Sequence, residues 1–235
     1  MSPPRRGDRP SADELRRKII ECRRCPRLVR FREGVKPRAS YSSQQYWRRP
    51  VPGFGDLNGR LLVLGLAPAS QGGNRTGRIF TGDASSRFLV RALHAAGFAN
   101  QPISESIDDG LIYIDCYLTA AVKCAPPGDR PTEEEFGNCS EYLAAELALM
   151  KNLRAVLALG ALAFKAYRDQ LGLEGAGSRR LKFAHGKEYA TKGRPTLYAC
   201  YHPSPRNTNT GRLTEAMLVS VLRRRRRDLE REKQI

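Results

Sequence analysis

Apolar residues in this chain fall into short continuous runs separated by longer stretches of helical spacing. Leu61 to Gly65, Leu111 to Thr119, Val156 to Leu159 and Thr196 to Cys200 are too uniformly apolar for strands with one wet face. Between them, segments from about Ala84 to Ala96, Thr132 to Lys151, Gly160 through Tyr167 and Leu213 to Glu232 carry the spacing of helices. Ser11-x-x-Glu14 and Thr132-x-x-Glu135 spell capping boxes, so one helix is expected from Ala12 to Phe31 and another after Thr132. Strands alternating with helices predict an α/β fold: βαβ units on a parallel sheet covered on both faces. Residues 34–58, rich in Pro, Gly and aromatics, predict an irregular packed loop, and residues 172–194 a loop or hairpin excursion. With no internal repeat and no interior linker, residues 11–235 are expected to form one domain, behind a disordered basic tail over residues 1–10.

Charge adds a partner class. The 235 residues hold 41 Lys and Arg against 24 Asp and Glu, a net +17. Residues 1–50 carry 15 basic and 5 acidic residues, residues 51–205 carry 17 and 15, and residues 206–235 carry 9 and 4. A nearly neutral body is thus flanked by basic segments in which arginine, the better phosphate ligand, dominates, and this points to nucleic acid. So high a charge also favours a monomer. The run Arg223 to Arg227 reads as the solvated face of the last helix. The longest apolar run, Ala155 to Phe164, is half the ~20 residues of a membrane helix, so no membrane partner is expected. Arg5-Arg6 is followed by no hydrophobic stretch, so a cytoplasmic, nucleoid-associated protein is expected. There its six cysteines are thiols or metal ligands rather than disulfides.

Those cysteines divide into two groups. Cys116 and Cys200 stand alone inside apolar strands and read as core packing. Cys22-x-x-Cys25, beside Pro26, and Cys124 and Cys139, beside Pro126 and Pro127, lie at helix–loop junctions. Together they make a four-thiolate site that suits either zinc or an iron–sulfur cluster; spacing does not separate the two.

Two loops are candidates for chemistry. Gly65-Leu-Ala-Pro-Ala-Ser-Gln-Gly-Gly-Asn-Arg-Thr-Gly-Arg-Ile-Phe-Thr-Gly-Asp83 leaves the carboxyl end of the first strand, where open parallel sheets bind ligands. It contains no lysine and no GxGxxG, which argues against a nucleotide triphosphatase or a dinucleotide enzyme. His202-Pro-Ser-Pro-Arg-Asn207 follows the fourth strand, and its alternating prolines present one histidine rigidly.

These strings carry a resemblance. GLAPASQGGNRTGRIFTGDAS is similar to the first motif of the family-5, B-type uracil-DNA glycosylases, and HPSPRN to the second motif of the uracil-DNA glycosylase superfamily. Tyr46 to Asp56 and Val122 to Gly128 match the same family, and the likeness spans roughly residues 15–222 in order. It implies a three-layer α/β/α sandwich with a central four-stranded parallel sheet and, near the N-terminal helix, a 4Fe–4S cluster on Cys22, Cys25, Cys124 and Cys139. It implies an enzyme of base excision repair that flips uracil, and other deaminated bases such as hypoxanthine or xanthine, out of DNA and leaves an abasic site. His202 would stabilise the departing base, and Asn74 would orient water or steady the sugar cation. Gly65, Ala67, Phe80 and Ala120 would line the base pocket, while Arg75, Arg78, Ser204, Arg206 and Asn207 would contact DNA. Ala67 stands where classical uracil glycosylases have a water-activating acid, Ala120 where cluster-bearing relatives read uracil with asparagine, and Arg206 where relatives often carry a leucine wedge. The alternative is a cluster-bearing DNA-binding protein without activity.

Overall fold

Leu61–Gly65, Cys116–Ala120 and Ala155–Leu159 are buried at every position, so the sheet they build has to be covered on both faces. The structure is a computed structural model that describes residues 10–172 and 181–231. In chain order its elements are α1 (Ala12–Ile20), α2 (Pro26–Gly34), β1 (Phe54–Gly55), β2 (Leu61–Gly65), α3 (Gly73–Thr76), α4 (Ala84–Ala95) and β3 (Cys116–Ala120). They continue with α5 (Glu133–Leu149), β4 (Ala155–Leu159), α6 (Ala161–Gln170), β5 (Glu188–Tyr189), β6 (Thr196–Cys200), α7 (Pro205–Thr208) and α8 (Glu215–Arg231). The disordered tail expected over residues 1–10 lies, but for Pro10, outside the described residues.

Strand order is β1-β3-β2-β4-β6-β5. The inner four strands are parallel, as expected, but the sheet has six strands rather than four: β1 and β5 pair antiparallel at the two edges. Two-residue strands show no alternation for a sequence reading to detect, and β1 lies in a Pro- and Gly-rich stretch. On one face Leu61, Val63, Leu118 and Leu157 meet Leu89 and Leu93 of α4 and Leu218 and Leu222 of α8. On the other, Leu62, Leu64, Val156 and Ala158 meet Leu143 of α5 with Phe164 and Tyr167 of α6. Leu15 and Ile19 of α1 pack on Tyr142 behind α5.

Both capping boxes form. Ser11 Oγ accepts the Glu14 amide at 3.2 Å, and Thr132 Oγ1 accepts that of Glu135 at 3.2 Å. The helix expected over Ala12–Phe31 is two helices, because Pro26 lacks the amide hydrogen a continuous helix needs there and instead opens α2 at its first position. The intervening turn holds Cys22 and Cys25. The expected strand Leu111–Thr119 also divides. Residues 112 and 114 pair with 98 and 100, Asp115 turns with φ +57°, and only then does β3 begin. Arg60 holds that turn through bonds from Nε to both Asp115 carboxylate oxygens.

Helix α8 sorts its arginines by the helical period. Arg223, Arg224 and Arg227 face solvent, as expected of the run, but Arg225 falls in register with Leu218, Leu222 and Leu229 and is 2% exposed. Its guanidinium lies 3.7 Å from the ring centre of Tyr198 and 2.9 Å from Asp228. Among the described residues no helix is long and apolar enough to cross a membrane. Arg225→Ala should therefore cost about 2 kcal/mol in urea unfolding, whereas Arg224→Ala, one residue away on the wet face, should stay within about 0.5 kcal/mol.

Candidate active site at the carboxyl ends of the strands

The four parallel strands end on one edge of the sheet, at Gly65, Ala120, Leu159 and Cys200. From β2 the chain passes to α4 on one face; from its neighbour β4 it passes to α6 on the other. Divergence of two adjacent connections opens a crevice at the carboxyl ends. The Gly-rich loop after β2 and the histidine loop after β6 both begin at this edge. Gly160, which follows β4 with φ +93°, donates its amide to Cys200 O at 2.7 Å, and a Cβ there would lie 3.4 Å from His202 Cβ. His202 Cβ thus lies beside the residue that follows β4.

Within the first loop, Gly65 and Phe80 are a matched pair. The Phe80 ring lies across the Gly65 α-carbon so closely that a Cβ on Gly65 would come 2.6 Å from Cζ. Phe80 itself has φ +49°. Asn74 is fully buried: its amide N–H bonds Ala69 O, and its side-chain Nδ2 donates to the main-chain oxygen of Arg32 at 3.1 Å. The other end of that carboxamide, Oδ1, is buried with no partner. Asp83 caps α4 by accepting the Ser86 amide at 2.8 Å, and burial raises its pKa. Ala67 packs against Cys25, Val122, Cys124 and Cys139, and Ala120 is buried with its carbonyl held by Lys123 Nζ at 2.9 Å.

Two residues expected at the DNA surface are placed elsewhere. Arg75 is 7% exposed, with Nε on Gln71 O, Nη1 on Gln44 Oε1 and Nη2 on Gly82 O, and it stacks 3.9 Å from the Tyr41 ring centre. Arg78 is 2% exposed and binds Thr81 Oγ1, Ser104 Oγ and the Asp109 carboxylate, the last at 2.7 Å. Both guanidinium groups brace the loop from within. Composition alone does not distinguish a bracing arginine from a solvent-facing one.

In the second loop, half-buried Asn207 donates Nδ2 to His202 O at 2.8 Å and so steadies the histidine. Ser204 opens the short α7, its carbonyl accepting the Asn207 and Thr208 amides, and Arg206 is exposed. Burial lowers the His202 pKa, with Asp129 opposing, so the imidazole is neutral at pH 7. A neighbour the sequence did not signal is His185. Its Nδ1 accepts the Tyr201 amide at 3.2 Å, and its ring stacks on Tyr201 with centres 4.7 Å apart.

A second unsignalled feature lies behind Ala120. Lys123, 1% exposed, donates to Glu146 Oε2 at 2.6 Å and to Thr119 Oγ1 at 2.7 Å. Next to it, Cys22, Cys25, Cys124 and Cys139 line one small cavity. Arg32 Nη1 donates to Cys124 Sγ at 3.1 Å and Asn138 Nδ2 to Cys25 Sγ at 3.5 Å. Burial pushes the Cys124 thiol up to about 12 and that of Cys139 to about 11. Among the described residues, no group of three or more His, Cys, Asp or Glu side chains is spaced to grip a metal ion. Cys116 and Cys200 are fully buried in their strands, as expected.

A chain with these two loops at its strand ends has relatives among known proteins. Residues 52–225 match the uracil DNA glycosylase superfamily, and the chain belongs to it. It is 52% identical to the type-5 uracil-DNA glycosylase of Pyrobaculum aerophilum over 212 residues, covering 90% of this chain and 91% of that one. Identity to the type-5 uracil-DNA glycosylase of Mycobacterium leprae is 46% (92% and 95% covered), and to that of Thermus thermophilus 47% (87% and 92% covered). Within the superfamily its place is in the type-5 family. Since Arg78 is an internal brace, Arg78→Ala should lower the melting temperature while leaving the slope of log Kd against log salt for DNA unchanged; losing a phosphate contact would reduce that slope by about 1.

Proposed function

We propose that this protein is a monofunctional DNA glycosylase that extrudes uracil from DNA, hydrolyses its N-glycosidic bond and leaves an abasic site. The observation that carries the reading is His202: an imidazole that burial favours as neutral, on a loop braced by Asn207, at the same edge of the sheet from which the Gly-rich loop starts. As the bond to the sugar breaks, negative charge develops on the base, and a fixed N–H donor aimed at the base oxygen stabilises it. The electron-poor sugar needs a placed water. From Leu66 to Gly82 the first loop has no carboxylate, and Asp83 is spent as a helix cap. The free acceptor Asn74 Oδ1 takes that role, receiving a hydrogen from the water and turning its lone pair to the sugar. No lysine lies in either loop, and Lys123 is tied to Glu146, so neither loop supplies an amine for a Schiff base and the DNA strand is left intact.

The base pocket is built from Gly65, Ala67, Phe80 and Ala120, the Phe80 ring stacking on the flipped base. Ala120 offers no side-chain donor or acceptor. Without a polar side chain there to be left unpaired by the wrong base, the pocket tolerates hypoxanthine and xanthine. Exposed Arg206, with Ser204, meets the backbone or fills the gap in the stack. We also propose that Cys22, Cys25, Cys124 and Cys139 hold a 4Fe–4S cluster rather than zinc, as a structural staple. Support comes from four sulfur residues around one cavity, two of them already receiving N–H donors, and from thiols that burial keeps protonated unless a cation offsets the charge. The protein acts as a monomer, its basic surface holding it to DNA.

A single-turnover assay on uracil-containing oligonucleotide, with alkali to cut abasic sites, tests the function. His202→Ala should slow excision about 10²–10³-fold. The wild-type rate should change less than about twofold from about pH 7 to 8.5, because burial lowers the His202 pKa from its ordinary ~6.5 and the active neutral imidazole predominates there. Hypoxanthine and xanthine should be excised more slowly than uracil; no strand break with any lesion would leave only a DNA-binding protein. Purified protein should be brown, with iron and acid-labile sulfide, and Cys124→Ser should lose both; a colourless protein with stoichiometric zinc would replace the cluster.

A further inference from the structure

A buried residue, Arg32, links the cysteine cavity to the first loop. We propose that Arg32 is a positioning residue: it ties the four-cysteine site to Asn74 and so sets which end of the Asn74 carboxamide faces the reacting centre. This rests on the reading of Asn74 as the group that orients water.

Arg32 lies in the last turn of α2, the helix that opens just after Cys25, and it is 1% exposed. Its Nη1 donates to Cys124 Sγ at 3.1 Å and to the Cys22 carbonyl at 3.3 Å, joining two segments of the cavity wall. Its own main-chain oxygen belongs to a helix end whose carbonyls have no partner within the helix. Asn74 Nδ2 supplies the partner at 3.1 Å. The next carbonyl, Glu33 O, receives Arg48 Nη1, and the Arg48 amide in turn donates to Asn74 O at 3.0 Å. The end of α2 therefore holds Asn74 by side chain and main chain together.

An asparagine carboxamide can rotate half a turn, exchanging donor for acceptor with little change in shape. At this position the Arg32 carbonyl fixes the choice, holding Nδ2 against the end of α2 and leaving Oδ1 unpartnered. That carbonyl is in place because the guanidinium of the same residue is pinned to Cys124 and Cys22. Loosening the side chain frees the last turn of α2, and Asn74 loses its preference for presenting oxygen.

A double-mutant cycle tests this, with single-turnover uracil excision, iron and labile-sulfide content all measured. Arg32→Met should slow excision about tenfold, as sub-ångström misplacement of an orienting group does, with iron content unchanged. Asn74→Ala should be slower still, and the double variant no slower than Asn74→Ala within about twofold, because the two act as one unit. Arg32→Lys, which keeps an N–H donor for Cys124, should recover to within about threefold of wild type. If the methionine variant does not fold, Arg32→Gln takes its place in the same cycle. Losses that multiply in the double variant, a methionine variant as fast as wild type, or a lysine variant as slow as methionine would each overturn the proposal. Asn74→Ala at the wild-type rate would instead bring down the reading of Asn74, and iron-free wild-type protein that of the cluster; the cycle separates all three.

Discussion

Strand β2 is enclosed on both edges by parallel partners and on both faces by helices, and its burial fixes where everything else can be. Leu61 and Val63 are committed to one layer and Leu62 and Leu64 to the other, so a slip of one residue would exchange two complete cores. Gly65 is consequently delivered to a fixed point at the edge of the sheet, with Phe80 seated on it. The neighbouring ends, Leu159 with Gly160 and Cys200 with His202, are placed by the same register. Loops that look irregular in isolation are in this way hung from a rigid rail.

Rigidity in the loops themselves has a different source. Their glycines allow close approach, but buried arginines hold the shape. Arg75 closes the span from Gln71 to Gly82, and Arg78 ties the loop to Ser104 and Asp109 on the excursion before β3. Each guanidinium distributes several directional bonds, which a carbonyl-rich turn can accept without any regular secondary structure. The second loop uses prolines and Asn207 to the same end. Cationic residues in this chain therefore divide between holding the fold and meeting the solvent, and part of the net +17 never reaches the surface.

What could be read from the chain beforehand follows from how local each signal is. The inner strands were legible because burial on two faces leaves few polar positions, and the capping boxes because their two bonds lie three residues apart. The edge strands were not, since two residues make no pattern. The break at Pro26 was missed because helical spacing continues across it. Proline alone carried the warning. At the site, His202 and the glycine loop stood out as strand-end motifs. The bonds of Arg78 to Ser104 and Asp109, the stacking of His185 on Tyr201 and the Lys123–Glu146 pair depend on partners distant in sequence, while Asn207 and Arg75 bond nearby carbonyls that no sequence pattern marks. The four cysteines were visible as two local pairs, and folding brings both pairs to one cavity.

Phe80 adopts left-handed backbone geometry, φ +49°, a conformation that disfavours every side chain larger than glycine's by about 1–2 kcal/mol. The molecule carries this burden permanently, whether or not a nucleobase is present. Burial of the ring, which is 9% exposed and packed across Gly65, offsets that cost, since deleting a buried phenylalanine side chain costs about 3–5 kcal/mol. Under the function proposed above, the ring that stacks on the base is therefore set in position by its own packing before a ligand arrives.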